Sequence, residues 1–160
     1  DWRETAGLDV LSTLAATGAV PALKVARDIM VMRRTVAADA ARLCAANASD
    51  GQLAAVADAA SAYPAELTDQ TFAADLAFWT AIIDGSDNLA YRLALNTLVG
   101  AFADIGFESI AHLGMAAELA DRDAHITLAE RLVARDADAA HRMADDLLGR
   151  VVETLSTQKS

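Results

Sequence analysis

Cysteine is nearly missing from this chain: Cys44 is the single one among 160 residues. No internal disulfide can form, which fits a reducing compartment. Basic residues are also scarce, 13 against 23 acidic ones, for a net charge of −10. That is the wrong sign for a surface that neutralises phosphates, and the longest basic cluster is Arg33-Arg34, so a nucleic-acid or anionic-membrane module is excluded for this segment. No run of eighteen apolar residues occurs and the start has no basic-then-apolar signal, so a soluble, cytoplasmic protein is expected. The chain starts at Asp1 rather than Met, as a piece of a longer protein would. A P-loop, a dinucleotide glycine fingerprint, a nucleophile elbow and a His-Glu-x-x-His zinc motif are all lacking. No Ser/His/Asp or Cys/His arrangement stands out, so the chain is read as a non-enzyme.

What is present is alanine. It takes 39 positions, against 8 Gly and 2 Pro. Ala is the best helix former and is depleted in strands. With 54% hydrophobic and 22% charged residues, the chain is neither disordered nor collagen-like, and its length suits one domain. Apolar spacing predicts a short helix through Leu8, Leu11 and Leu14, then one from Pro21 to about Ala46 carrying Leu23, Ala26, Ile29, Val36 and Leu43. Asp50 is the expected N-cap of a helix to about Ala62, and Thr68 or Asp69 of one from Gln70 to Ile83. Asp84-Gly85-Ser86 reads as a stop and start, with Gly85 left-handed and Ser86 capping the next helix. That next helix, from Asp87, has two apolar rows (Leu89, Leu93, Val99; Leu95, Leu98, Phe102, Ile105), so it is expected at the centre of the fold. Two more helices are expected over Met115–Ala134 and Asp136–Leu155. The fold class that follows is all-α, an antiparallel bundle of six to seven helices.

A few polar residues fall on apolar faces. Asp75, Trp79 and Ile83 recur every four residues beside Phe72 and Leu76, which puts a carboxylate on or beside a greasy stripe. Either Asp75 sits at the stripe's edge with Trp79 as core, or Asp75 faces a polar cavity that Trp79 lines. Asn96, in the row of Leu89, Leu93 and Val99, is expected to be at least partly buried, satisfied by a neighbouring helix or a ligand. Arg33 either snorkels to solvent or anchors an anionic ligand, and snorkelling is the default for a long cationic side chain. For His112, His125 and His141, surface, boundary or hydrogen-bonded positions are the default.

These residues resemble the C-terminal effector-binding domain of GntR-type transcription regulators, in the FadR branch. The run Trp2-Arg3-Glu4-Thr5-Ala6-Gly7-Leu8 looks like the stretch that joins a winged-helix DNA-binding domain to the bundle. Ile29 to Arg34 is similar to the first long helix of that domain. Asp75-Leu76-Ala77-Phe78-Trp79 with Ser86-Asp87-Asn88 is similar to its aspartate helix and the helix start after it. His125-Ile126-Thr127-Leu128 with Asp136 and Ala140 is similar to its histidine helix. The resemblance implies residues 1–18 as a linker and short helix after an absent DNA-binding domain, and residues 19–160 as the effector domain.

Many members of that family hold a divalent metal with one aspartate and three histidines. Asp75 and His125 match two of those positions, whereas Trp79 and Leu147 stand at the others. Two ligands are too few for a dedicated site, so no metal or other cofactor is expected. The exchange makes the cavity more apolar, and the fatty-acid-responsive members carry an aromatic at the position of Trp79. The implied function is a ligand-sensing domain for a fatty acyl effector, acyl-CoA or fatty acid. Arg33 would meet a negative group, Asn96 a polar one and Trp79 the hydrocarbon, with Asp75 and His125 in the same site. DNA would be a partner only through the absent domain, a membrane not at all, and the intact regulator would be a homodimer. Two alternatives remain: the same domain sensing a small carboxylate through a residual metal at Asp75 and His125, or a non-regulatory helical bundle.

Overall fold

The computed structural model describes residues 7, 10–105 and 114–157, and every regular element there is helical. Eight α-helices are present among these residues: α1 (Leu11–Ala16), α2 (Ala22–Asn47), α3 (Asp50–Ser61), α4 (Thr71–Gly85), α5 (Leu89–Ile105), α6 (Ala116–Leu119), α7 (Arg122–Val133) and α8 (Ala137–Thr157). The class is all-α, as expected. The extra helix comes from a split of the segment expected over Met115–Ala134. Asp121 caps α7 by accepting from Ala124 N–H at 3.0 Å, and a new cap ends continuity with α6. His112, Trp2 to Ala6, Leu8 and the side chains of Phe102 and Ile105 lie outside the described residues. None of the helices among those residues is long and apolar enough to cross a membrane.

The two longest helices, α2 and α8, form the spine. Arg34 of α2 bonds Asp145 of α8 (2.7 and 2.6 Å), while the α2 end at Ala45 accepts from Arg135, just before α8 (3.3 Å). Residue numbers therefore run in opposite senses, and the pair is antiparallel. Ala37, Ala38, Ala40, Ala41 and Ala45 of α2 and Ala140 and Ala144 of α8 are all buried. Such small side chains let two backbones approach closely, and α3, α4 and α7 complete the core around them. A second apolar cluster, with Val25, Ile29, Met30, Leu98, Met115, Leu119, Val151 and Leu155, fills the other end. Arg33 falls between the residues of the two clusters along α2.

Several local expectations change. The cap of α3 is Ser49, not Asp50: Ser49 Oγ accepts from Gln52 N–H (3.2 Å) and Gln52 Oε1 from Ser49 N–H (2.9 Å), a reciprocal capping box. Gln70 directly before α4 makes no side-chain cap, but Thr68 fills the expected role in the turn ahead of it: its Oγ1 accepts from Gln70 N–H (3.2 Å), and Thr71 Oγ1 accepts from Thr68 N–H (2.9 Å), whereas Asp69 takes no part. Gly85 is not left-handed; Asp87 is, with φ 54°. Gly85 is required for space, since a Cβ there would lie 2.5 Å from Cys44 Sγ. Ser86 does not cap α5 either. Its hydroxyl donates back to Ile83 O (2.6 Å), and Asn88 Oδ1 accepts from Tyr91 N–H (3.1 Å). Finally, α5 is not central. Leu89 and Leu93 are 73% and 56% exposed, because the side that carries Tyr91, Leu95, Leu98 and Val99 is the one that meets other helices, chiefly α2 and α4.

Candidate functional site: an apolar cleft over a buried ionic cluster

An apolar cleft opens between α2, α4, α5 and α8. Its walls are Val36 and Ala37 of α2, Phe72, Leu76, Trp79 and Ile83 of α4, Leu95, Leu98 and Val99 of α5, and Leu148 of α8. Two polar residues also line it, Arg33 and Asp75. The four-residue spacing that sequence reading picked out in α4 is what puts Asp75, Trp79 and Ile83 on one wall. Its volume is about 40 Å³, room for water but well short of the roughly 300 Å³ or more of a typical ligand pocket.

Arg33 does not snorkel; it is 7% exposed. Its Nη1 donates to Glu118 Oε2 at 3.0 Å and its Nη2 to Glu118 Oε1, a bidentate pair, and Nη2 lies 3.6 Å from Asp75 Oδ2. Burial opposes the guanidinium charge, but Glu118 first and then Asp75 outweigh it and hold Arg33 above its ordinary range. Burial of Glu118 (0% exposed) pushes its carboxyl up, against the pull of Arg33. Such a pair is held at a desolvation cost, so its value lies in geometry as much as in stability.

Asp75 is likewise buried rather than at a stripe edge. Its Oδ1 accepts from Tyr63 Oη at 3.1 Å and lies 3.2 Å from His125 Nε2. His125 Nδ1 sits 2.7 Å from Asp121 O. A carbonyl only accepts, so Nδ1 carries the hydrogen. The imidazole is fully buried, stacked on Tyr63 (centroids 4.1 Å apart, 23° between planes) and edge-on to Phe78 (5.2 Å, 72°). Burial, then Asp75, pushes the Tyr63 hydroxyl well above the usual phenol range. Arg122 holds the Tyr63 backbone from α7, donating to its carbonyl at 2.8 Å.

Four of the five residues marked out by sequence thus converge: Arg33, Asp75, Trp79 and His125. Asn96 does not. It is exposed on α5 and outside the cleft lining, because α5 turns Leu89, Leu93 and Asn96 to solvent, while Val99 of the expected row lines the cleft. Its expected burial was wrong. Sequence reading missed Glu118 and Tyr63. Tyr63, just before Pro64, lies between α3 and α4, where no helical periodicity marks it. A lone acid between apolar residues, Met115-Ala116-Ala117-Glu118-Leu119, was the available signal for Glu118.

A metal does not fit these donors. Asp75 and His125 already contact each other, Glu118 is taken up by Arg33, and the remaining positions offer an indole and the buried alkyl chain of Leu147. Among the described residues no group of three or more His, Cys, Asp or Glu could hold an ion.

The FCD domain family matches residues 28–150, a stretch that contains the whole cleft and cluster. The chain belongs to that family. No curated protein and no solved structure matches it. The FCD domain is the C-terminal effector-binding domain of GntR-family regulators, which makes this chain a ligand-sensing domain of that type.

Proposed function

We propose that this FCD domain senses a fatty acyl ligand, acyl-CoA or fatty acid, in the cleft between α2, α4, α5 and α8. The observation that carries this reading is the lining: ten of its twelve residues are apolar, and the two polar ones sit together at Arg33 and Asp75. An alkyl chain gains about 0.8 kcal/mol for each methylene it buries there. The present volume of about 40 Å³ requires the cleft to widen on binding, and α5 is the wall that moves. Its other face is solvent-exposed, so outward displacement meets no other helix among the described residues; it parts Leu98 from its cluster and breaks the Tyr91–Asp39 hydrogen bond (2.7 Å).

Residues 19–160 act as the effector domain and residues 1–18 as the linker to a winged-helix DNA-binding domain. The intact regulator is a homodimer. The ligand changes DNA binding by favouring one disposition of the paired DNA-binding domains, to the extent that it binds that disposition more tightly. A ligand in hundredfold excess over its Kd stabilises the folded chain by about 2.7 kcal/mol. A thermal shift with long-chain acyl-CoA and free fatty acids tests this. A rise in Tm that disappears in Leu98→Trp, which fills the cleft, is expected; no rise with any of them refutes the reading.

A further inference from the structure

A buried donor in the cleft wall has no partner. Trp79 is 4% exposed, and its indole Nε1–H meets no hydrogen-bond acceptor among the described residues. Native proteins pair nearly all buried polar groups, because an unmade bond costs about 1–3 kcal/mol. The ring of Phe78 (centroids 5.3 Å apart, 79°) and the alkyl chains of Leu76 and Ile83 on the same helix offer no acceptor, and the Asp75 carboxylate one turn away makes no hydrogen bond to the indole. The nitrogen has almost no accessible surface while the cleft is closed, so an acceptor from outside the protein meets it only once the cleft widens.

The floor of the cleft restricts what that acceptor can be. Arg33 is the one lining residue with a positive charge, and both of its terminal nitrogens are engaged by Glu118, with Asp75 3.6 Å away. Two carboxylates therefore surround one guanidinium. An ionised carboxylate entering the cleft would lose its hydration beside Asp75 and find no free cation to pair with. A neutral carbonyl oxygen carries no such penalty.

We propose that Trp79 is a ligand-reading donor: its Nε1–H donates to a neutral carbonyl oxygen of the effector, as in an acyl ester, thioester or amide. The cleft thereby prefers esterified acyl groups to the free carboxylate. This rests on the cleft being the effector site, and it divides the two fatty acyl classes named above.

The test uses the full chain labelled with nitrogen-15 in tryptophan, which gives indole signals from Trp2 and Trp79 alone; Trp79→Phe assigns them. Three probes of similar length are titrated: methyl octanoate, octanoate and nonane. Methyl octanoate should move the Trp79 indole signal downfield. It should also bind about tenfold tighter than either other probe, the size of one hydrogen bond. In Trp79→Phe its advantage over nonane should vanish. Binding of methyl octanoate without movement of the Trp79 signal, or equal binding of octanoate, overturns the inference and leaves the cleft reading standing. Failure of all three to bind, with a Tm rise from long-chain acyl-CoA, overturns the inference alone; failure in both assays removes both. The wild-type indole signal carries the test even if Trp79→Phe folds poorly.

Discussion

Removing either half of the Arg33–Glu118 pair should have unequal consequences. Glu118→Leu leaves a fully buried guanidinium with only Asp75, 3.6 Å from Nη2. A guanidinium cannot shed its proton, so the charge stays and the loss should reach about 3–5 kcal/mol, the range for a broken buried pair. Arg33→Met leaves Glu118 instead. Burial already pushes that carboxyl up, and without Arg33 it rises further and binds a proton, so the cost falls to about 1–3 kcal/mol for an unpaired buried polar group. The sign follows from linkage. A carboxyl raised in the folded state stabilises below its unfolded value, and that contribution is lost as pH rises through the folded value. Arg33→Met should therefore recover stability between about pH 8 and about pH 5, while Glu118→Leu should not by this route. The double variant replaces both charges with apolar groups and should lie near wild type or above it. Urea unfolding followed by far-UV circular dichroism at the two pH values measures all three. Additive losses in the double variant, or a Glu118→Leu loss below about 1 kcal/mol, would refute the reasoning.

Gly85→Ala should destabilise by about 1–3 kcal/mol through overpacking, since the added Cβ would sit 2.5 Å from Cys44 Sγ and 3.2 Å from Ala48 Cβ. Urea unfolding should show part of that loss restored by Cys44→Ala, and no restoration would mean that the thiol is not the obstacle. Burial pushes the Cys44 thiol up to about 11, so a disulfide reagent near neutral pH should label it only at the rate of unfolding; immediate labelling of the folded protein contradicts this. Arg34, bonded to Asp145, holds that carboxyl below its ordinary value of 3.8. Its stabilisation is present above that value and lost as pH falls through the lower folded one. The pair is about one-third exposed, so Asp145→Asn should cost no more than about 1 kcal/mol. A plot of Tm against pH should be shallower for this variant on the acid side, and identical slopes would show that the pair contributes nothing.

The helical class was legible because it is a local property. Ala-rich segments with apolar residues every three or four positions can bury surface only as helices, and α2, α3 and α8 fall within a few residues of their predicted spans. Caps were less legible, since Ser49 and Asp50 are both good N-caps and adjacent, and only the reciprocal bond to Gln52 decides between them. Along α4 the same periodicity placed Asp75, Trp79 and Ile83 on one face, so half of the cleft wall could be read directly.

Which face of a helix meets which neighbour is set by the packing of the whole bundle. Tertiary structure alone turned α5 outward, exposing Asn96 and Leu93, and brought Glu118 across 85 residues of chain to the Arg33 guanidinium. Gly85 was conspicuous in the sequence, but its reason, a thiol on another helix at van der Waals distance, exists only once α2 and α4 are packed together. A buried charge cannot be recognised without its partner, because an arginine at this spacing suits a solvated helix face equally well until the fold sets Glu118 beside it.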